Sequence, residues 1–195
     1  MLFHSFITRS QVIDLGDITV RLITSRDTAA ITAYYQKNRQ FLEPWEPLRE
    51  DTFFTARGWE RRLEQLMKLH KHEMAYYFVI VPKQDPLQIC GVVNYSNLVR
   101  HPFYACHVGY SIDEDYQGQG MMGRALEATN QWMFDKGFHR IMAAYMPRNA
   151  KSAAVLKKSG FAIEGRAKDY LLINGNWEDH ILTARINSDW APPLG

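Results

Sequence analysis

Residues 110–123 read Tyr110-Ser111-Ile112-Asp113-Glu114-Asp115-Tyr116-Gln117-Gly118-Gln119-Gly120-Met121-Met122-Gly123, and this stretch decides the fold. A strand-like run ends near Ile112, a short acidic turn follows, and glycines then lead directly into a helix. Glycine lets the backbone approach a ligand closely, and the first N–H groups of a helix are unpaired and partly positive. The stretch therefore predicts a phosphate-binding turn between a strand and a helix.

Two other phosphate-binding patterns fit this turn less well. No lysine follows the glycines, which excludes the P-loop of nucleoside triphosphatases. Gly118, Gly120 and Gly123 match G-x-G-x-x-G, but a dinucleotide fold needs that motif directly after its strand and an acid about 20 residues later. Five residues intervene here, and the next strand is followed by Met146-Pro147-Arg148 without an acid. That the glycines merely turn the chain into a helix stays open at this point.

Hydrophobic spacing and turn residues predict the elements on both sides of this turn. Predicted strands cover Asp17 to Ile23, Met74 to Val81, Gln88 to Leu98, Phe103 to Ile112, His139 to Tyr145, Phe161 to Ile173 and Trp177 to Arg185. Predicted helices run from the Asp27 cap towards Gln40, and over Thr55 to His72, Met121 to Lys136 and Ala150 to Ser159. Consecutive strands imply antiparallel pairing, and strand–helix–strand implies a parallel crossover.

These elements predict a single mixed α/β domain. Its central sheet has about seven, mostly antiparallel strands flanked by helices. The domain covers residues 17–187, between an N-terminal extension (1–16) and a C-terminal tail (188–195). A length of 195 residues fits one domain.

Composition narrows the class of protein. The chain is 46% hydrophobic and 23% charged, which is ordinary for a globular domain. No apolar stretch approaches the roughly 18 residues of a membrane span, and residues 1–16 lack a secretory signal pattern, so we expect a cytoplasmic protein without membrane contact. The net charge of +2 argues against sequence-specific nucleic-acid binding as its main task.

The cysteines and histidines do not suggest a metal site. Cys90 and Cys106 lie in apolar strand-like runs, which favours buried free thiols. His70 and His72 are two residues apart on a helical segment and so point to different faces. We therefore predict no metal.

A second motif follows downstream of the phosphate turn. It comprises Asn149-Ala150-Lys151-Ser152, Val155-Leu156, Gly160-Phe161 and Glu164-Gly165. Asn149 is a good N-cap for a short helix, and Gly160 is a plausible C-terminal stop. Capping alone would explain Asn149.

Taken together, the two segments resemble motifs A and B of the GNAT acetyltransferases. Gln117 and Gly120 fill the first two positions of Q/R-x-x-G-x-G/A, whereas Met122 stands where the family usually has Gly or Ala. The resemblance implies acetyl-coenzyme A (acetyl-CoA) as co-substrate and two neighbouring strands that splay apart to receive it. The coenzyme-binding residues that it implies are Tyr110, Ile112, Gln117, Gly118, Gln119, Gly120, Met121, Met122, Gly123, Asn149 and Ser152.

The resemblance is closer to the RimJ-type branch, the ribosomal-protein alanine N-terminal acetyltransferases. The segments that carry it are 41–47, 99–100, 139–143, 145–147, 167–173 and 177–180. This branch implies acetylation of the N-terminal alanine of the fifth small-subunit ribosomal protein, with the small ribosomal subunit or its precursor as a further partner. A GNAT enzyme for a small amine and a binding factor for ribosome assembly are the alternatives.

The resemblance also implies candidate catalytic groups. Backbone N–H groups near Tyr110 and Ile112 would stabilise the oxyanion, and Ser152, which matches a family position near the thioester sulfur, would hydrogen-bond the leaving sulfur. Glu46 and Asp169 are the candidate bases, although either carboxylate can equally be structural or hold the peptide.

The predicted acceptor wall is aromatic. It comprises Phe41, Trp45, Phe53 and Phe54 from the first half of the chain, and Tyr170 and Trp177 from the late hairpin. With Glu46, the residues Trp45, Tyr170 and Trp177 are the predicted substrate-binding residues. Aromatic side chains at this density equally suit a hydrophobic core.

Overall fold

The computed structural model describes residues 12–192 of the 195-residue chain. The strands in this range are β1 Val12–Asp14, β2 Ile18–Leu22, β3 Tyr76–Pro82, β4 Gly91–Val99, β5 Ala105–Ile112, β6 Arg140–Tyr145, β7 Ala162–Ile173 and β8 Asn176–Ile186. The α-helices are α1 Thr28–Lys37, α2 Arg39–Leu42, α3 Ala56–Lys71, α4 Met121–Asp135 and α5 Ala150–Lys158.

The strands form one mixed sheet in the order β1-β2-β3-β4-β5-β6-β8-β7. β5 and β6 are parallel, and the other neighbouring pairs are antiparallel. The predicted fold class is therefore confirmed, and α4 makes the crossover between the parallel strands. The described sheet has eight strands rather than about seven, because Val12–Asp14, placed by the sequence in an N-terminal extension, pairs with β2. Residues 1–11 of that extension lie outside the described residues.

Hydrophobic side chains cover both faces of the sheet because successive residues of a strand point to opposite sides. On one face, Phe78 and Ile80 pack in a cluster with residues of α4 and α5. On the other, Val79 and Val81 pack in a cluster with residues of α1 and α3. The middle of the sheet is thus enclosed between two helical layers.

The first helix ends earlier than the sequence predicts. The prediction of a single helix running to Gln40 is wrong, because α1 ends at Lys37 and Asn38 separates it from α2. The Asn38 side-chain amide donates to the Tyr34 carbonyl at 2.9 Å and to Asp113 Oδ2 at 3.1 Å. The helix end is therefore fixed against the turn that follows β5.

The start of the predicted C-terminal tail packs against the domain. Trp190 Nε1 donates to the Gly137 carbonyl at 3.0 Å, and its ring lies 5.0 Å from that of Tyr104 and 5.3 Å from that of His139. The chain is therefore held to the sheet beyond β8 as far as residue 190.

Both cysteines are buried free thiols, as predicted, and burial raises the pKa of Cys90 and of Cys106 to about 12. Within residues 12–192, no three His, Cys, Asp or Glu side chains come together as possible metal ligands. None of the helices in that range has the length and apolarity needed to cross a bilayer.

Candidate active site

A gap opens between the two parallel strands. β5 and β6 pair only from Ala105–Arg140 to His107–Met142, although β5 continues to Ile112. The Asp113 N–H donates to the Cys90 carbonyl at 2.8 Å, on the β4 side. Because N–H directions alternate along a strand, Tyr110 and Ile112 direct their N–H groups to the opposite side, where β6 has diverged. The splayed strand pair therefore offers donors to a ligand.

The phosphate turn lies directly after β5. Gly118 and Gly120 have φ of 73° and 72°, which is the left-handed region that other residues rarely adopt. Gly120 is the N-cap of α4, and the first backbone bond into that helix runs from Arg124 N–H to the Gly120 carbonyl at 3.2 Å. The N–H groups of Met121, Met122 and Gly123 precede that bond, so the helix N-terminus can bind a diphosphate.

A buried polar cluster anchors this turn, and sequence analysis missed it. The Asp113 carboxylate is fully buried and accepts hydrogen bonds from Lys37 Nζ at 2.9 Å, the Asn38 amide at 3.1 Å and the Asp115 N–H at 3.0 Å. The Asn38 side-chain oxygen in turn accepts from the Glu114 N–H at 3.0 Å. The end of α1 therefore sets the position of the phosphate turn.

The start of α5 lies beside the same turn. The Asn149 side chain accepts from the Ser152 N–H at 3.0 Å, so it caps α5 as its residue type predicts. Lys151 Nζ donates to the Gln117 side-chain oxygen at 2.5 Å. Gln119 instead bonds the Asp115 carbonyl at 3.1 Å. The two motifs separated in sequence are thus brought together, and Lys151 is a basic group that sequence analysis did not select.

The Ser152 hydroxyl meets β5 at the gap. Its Oγ lies 2.9 Å from the Tyr110 hydroxyl, which also donates to the Ser152 carbonyl at 3.3 Å. Burial raises the pKa of Tyr110 to about 12, with the Ser152 hydrogen bond opposing the rise. The Tyr110 phenol is therefore protonated at neutral pH and can serve as a donor together with Ser152.

The loop 41–49 and the β7–β8 hairpin meet on the α1 side of the sheet. The Asn174 N–H at the hairpin tip donates to the Glu46 carbonyl at 3.0 Å. A small, partly open cavity lies beside this contact, with Tyr35, Glu46, Arg49 and Asn174 among its lining residues. Burial raises the pKa of Glu46, and Arg49, at 3.4 Å, partly opposes the rise. Glu46 is therefore a carboxylate in a half-enclosed cavity with a perturbed pKa.

Arg148 joins the predicted acceptor wall to the start of α5, and sequence analysis did not select it. Its guanidinium carbon lies 4.9 Å from the centre of the Trp45 ring. It also donates to the Pro44 carbonyl at 3.2 Å and to Glu178 at 2.9 Å. Arg148, which directly precedes Asn149 in sequence, therefore holds Trp45 near the start of α5.

The remaining predicted residues lie on the hairpin and are more exposed. Tyr170 is half-buried, with its ring 5.6 Å from that of His180, while Trp177 is 62% exposed. Asp169 is exposed, has φ of 48°, and donates its N–H to Asp179 at 2.9 Å. None of the contacts described for Asp169 reaches Ser152 or the phosphate turn.

Comparison with known proteins places this geometry in a family. Residues 17–162 match the acetyltransferase (GNAT) domain. The chain is a GNAT acetyltransferase. It is accordingly an acyltransferase that depends on acetyl-CoA.

Several acetyltransferases resemble this GNAT enzyme over most of its length. The [ribosomal protein uS5]-alanine N-acetyltransferase of Escherichia coli is 46% identical over 176 residues, 90% of each chain. The solved ribosomal-protein-S5-alanine acetyltransferase of Vibrio fischeri is 55% identical with a TM-score of 0.90, covering 93% of this chain and 100% of the other. Mycobacterium smegmatis RimJ, solved in complex with CoA-disulfide, is 28% identical with a TM-score of 0.81, covering 87% and 81%.

Proposed function

We propose that this chain transfers the acetyl group of acetyl-CoA to the α-amine of an N-terminal alanine, on a ribosomal protein of the small subunit. The relatives from Escherichia coli and Vibrio fischeri, at 46% and 55% identity, support the acceptor. The observation that carries the transfer chemistry is the gap after His107, where Tyr110 and Ile112 present N–H groups beside the amides that begin α4.

The chain offers donors along the whole length of the coenzyme. The phosphate turn, residues Gln117, Gly118, Gln119, Gly120, Met121, Met122 and Gly123, holds the diphosphate through backbone N–H groups. A side-chain carbon added at Gly123 would meet nothing within 4 Å outside its own stretch of helix, so the protein leaves room for a ligand beside this residue. The Asn149 amide nitrogen is directed by the cap at Ser152 and binds the pantetheine arm. When bound, acetyl-CoA supplies a thioester carbonyl for the acceptor amine to attack.

Two groups of the chain assist the transfer at the gap. A backbone N–H of Tyr110 or Ile112 stabilises the oxyanion, which is where preorganised donors contribute most to rate. Ser152, hydrogen-bonded to the protonated Tyr110 phenol, donates to the departing thiolate.

The acceptor must lose a proton, and we assign that role to Glu46. A free α-amine has a pKa of about 7.7–8.0, so roughly a third is neutral near pH 7.5, against about a thousandth of lysine side chains. A weak general base therefore suffices. Burial raises the pKa of Glu46, which brings it closer to the pH at which the enzyme works, where a general base is most effective. Asp169 is the second candidate, but its exposure in β7 favours a role in holding the peptide.

The acceptor peptide lies between the loop 41–49 and the hairpin. Trp45, fixed by Arg148, and Tyr170 form the inner wall, and Trp177 extends it outwards. A site at the surface also suits an N-terminus that protrudes from the small ribosomal subunit or its precursor, which we include as a partner.

The proposal is tested by acetylation assays with three acceptors. We expect an alanine-starting peptide to be acetylated on its α-amine, at least about a hundredfold more efficiently than a lysine side chain or a polyamine. The α-amine is identified by mass spectrometry of the product. Faster acetylation of the small amine would overturn the proposal and leave the GNAT chemistry intact.

A further inference from the structure

A second cavity lies next to the one beside Glu46. It is an open cleft between α1, the turn 51–54 and α3, and its lining includes Tyr35, Arg49, Phe53, Trp59, Arg62 and Tyr77. Tyr35 and Arg49 line both cavities. A peptide that enters beside Glu46 can therefore extend into the second cavity past Arg49.

Two arginines with little neutralisation face this cavity. The guanidinium carbons of Arg49 and Arg62 lie 4.5 and 4.7 Å from the centre of the same ring, Phe53. Within residues 12–192, Arg62 makes no hydrogen bond or ion pair, and Arg49 has only the 3.4 Å contact to Glu46. Burial, and then the neighbouring Arg49, lower the pKa of Arg62, while Glu50 opposes the change. The positive charges of Arg49 and Arg62 therefore lie close together, and they repel each other.

The same walls carry hydrogen-bond donors that lack acceptors. Arg49 Nε and Trp59 Nε1 are buried and have no partner among the described residues. The hydroxyls of Tyr35 and Tyr77 lie 2.8 Å apart, so one donates to the other and one proton is left over. Buried polar groups are normally paired. Spare donors and positive charge suit this pocket to an anionic ligand.

We propose that this cavity binds the carboxylate of an acidic side chain within the first few residues of the acceptor, and that Arg62 determines this preference. The inference rests on the proposed function, because it assumes that a peptide occupies the neighbouring cavity. Arg62 is the principal ligand, since Arg49 is shared with Glu46. The acceptor site would therefore recognise the sequence that follows the α-amine as well as the α-amine itself.

Side chains in contact link the gap to the second cavity. The Tyr34 hydroxyl lies 2.8 Å from Ser111 Oγ, next to Tyr110 in β5. The rings of Tyr34 and Tyr35 are in contact at 5.0 Å, and Tyr35 reaches both cavities. An extended peptide advances about 3.3–3.6 Å per residue, so the acidic side chain belongs a few residues after the acetylated alanine.

The preference is measured with paired acceptor peptides. Alanine-starting hexapeptides carry a single glutamate at each position from two to six, and each has a glutamine counterpart. Values of kcat/KM are compared for the wild type, Arg62→Gln, Arg62→Lys and Arg61→Gln. Arg61 is the matched control, because it is the neighbouring arginine of α3 and is exposed.

At one of these positions, we expect the glutamate peptide to be acetylated about tenfold more efficiently than its glutamine counterpart. The difference should arise from a lower KM rather than from a higher kcat. Arg62→Gln should reduce this ratio to about one, Arg62→Lys should retain most of it, and Arg61→Gln should retain all of it. Ratios near one at every position in the wild type, or a ratio that survives in Arg62→Gln, would overturn the inference. Folding of each variant is checked by circular dichroism.

Two further arms separate the alternatives. If no alanine peptide is acetylated, the proposed function has failed. Calorimetry of the same peptide pairs, with CoA present, then tests the pocket alone. Tighter binding of a glutamate peptide than of its glutamine counterpart, lost in Arg62→Gln, supports the carboxylate site, and equal binding of the two peptides refutes it. Free glutarate tests whether the pocket binds a small carboxylate molecule instead of a peptide side chain. If glutarate inhibits in an Arg62-dependent way while the paired peptides do not differ, the pocket binds a small carboxylate, and the assignment to the acceptor is wrong.

Discussion

Replacing Asp113 by alanine tests whether the buried cluster at the end of α1 holds the phosphate turn. The substitution removes the acceptor for Lys37, for the Asn38 amide and for the Asp115 N–H. Breaking a buried ion pair costs about 3–5 kcal/mol when the remaining charge stays buried. Lys37 is 44% exposed and keeps its contact with Asp115 at 2.7 Å, so part of that cost is avoided. We expect a loss of about 2–3 kcal/mol in the free energy of unfolding.

The matched control is Asp115→Ala, which removes the other partner of Lys37. The Asp115 side chain is 71% exposed, and exposed ion pairs contribute about 1 kcal/mol or less. Urea denaturation followed by circular dichroism gives both values. Calorimetry with CoA should show affinity falling about tenfold in Asp113→Ala, because the amides before α4 lose their fixed position. Equal destabilisation by the two substitutions, or unchanged CoA affinity in Asp113→Ala, would refute the anchoring role.

Three further predictions concern the site itself. Gly120→Ala should cost about 1–2 kcal/mol of stability in urea denaturation, because φ of 72° is unfavourable for alanine, and it should weaken CoA binding measured by calorimetry; unchanged stability would contradict the turn geometry. Ser152→Ala should lower kcat about tenfold with little change in CoA affinity, whereas an unchanged kcat would remove Ser152 from the mechanism. Burial raises the pKa of Glu46, so wild-type activity should fall as pH drops through that raised pKa and its carboxylate is protonated. Glu46→Gln should have low activity without that acidic limb in its pH–rate profile, and a limb that persists in the variant would assign it to another group.

The parts of the site that the sequence predicts are those set by local chemistry. The phosphate turn follows from glycines directly before a helix, and Gly118 and Gly120 do adopt positive φ. The Asn149 cap is equally local, since its partner is Ser152, three residues away. The mixed pairing of the sheet follows from consecutive strands and one strand–helix–strand crossover. Each of these features is defined by residues that are close together in sequence.

The anchoring contacts could not be predicted in the same way. Asn38 and Asp113 are 75 residues apart, and nothing in the local pattern of either residue names the other. Arg148 lies in a turn where a basic residue is unremarkable by sequence, yet it contacts Trp45 and Glu178. Arg62 falls within a helical pattern whose charged positions normally face solvent. Such contacts depend on how the helices pack on the sheet.

Asp169 illustrates a different limit. Strand periodicity places its side chain by simple alternation, but β7 has an irregular register between Ala167 and Leu171. Asp169 takes φ of 48° there, a conformation that residues other than glycine adopt uncommonly. Three residues of β7 (168–170) stand there opposite one residue of β8. Simple alternation does not hold in such an irregular segment, so the direction of the Asp169 side chain could not be predicted from the sequence.

The irregular register of β7 also bears on how copies of the protein behave at high concentration. β7 is the outermost strand on its side of the sheet, and an outermost strand is where another molecule can attach by extending the ladder. The interruption between Ala167 and Leu171 contains the exposed Lys168 and follows the exposed Arg166. It breaks the regular row of backbone groups that such growth requires. An irregular edge strand of this kind disfavours aggregation by strand addition.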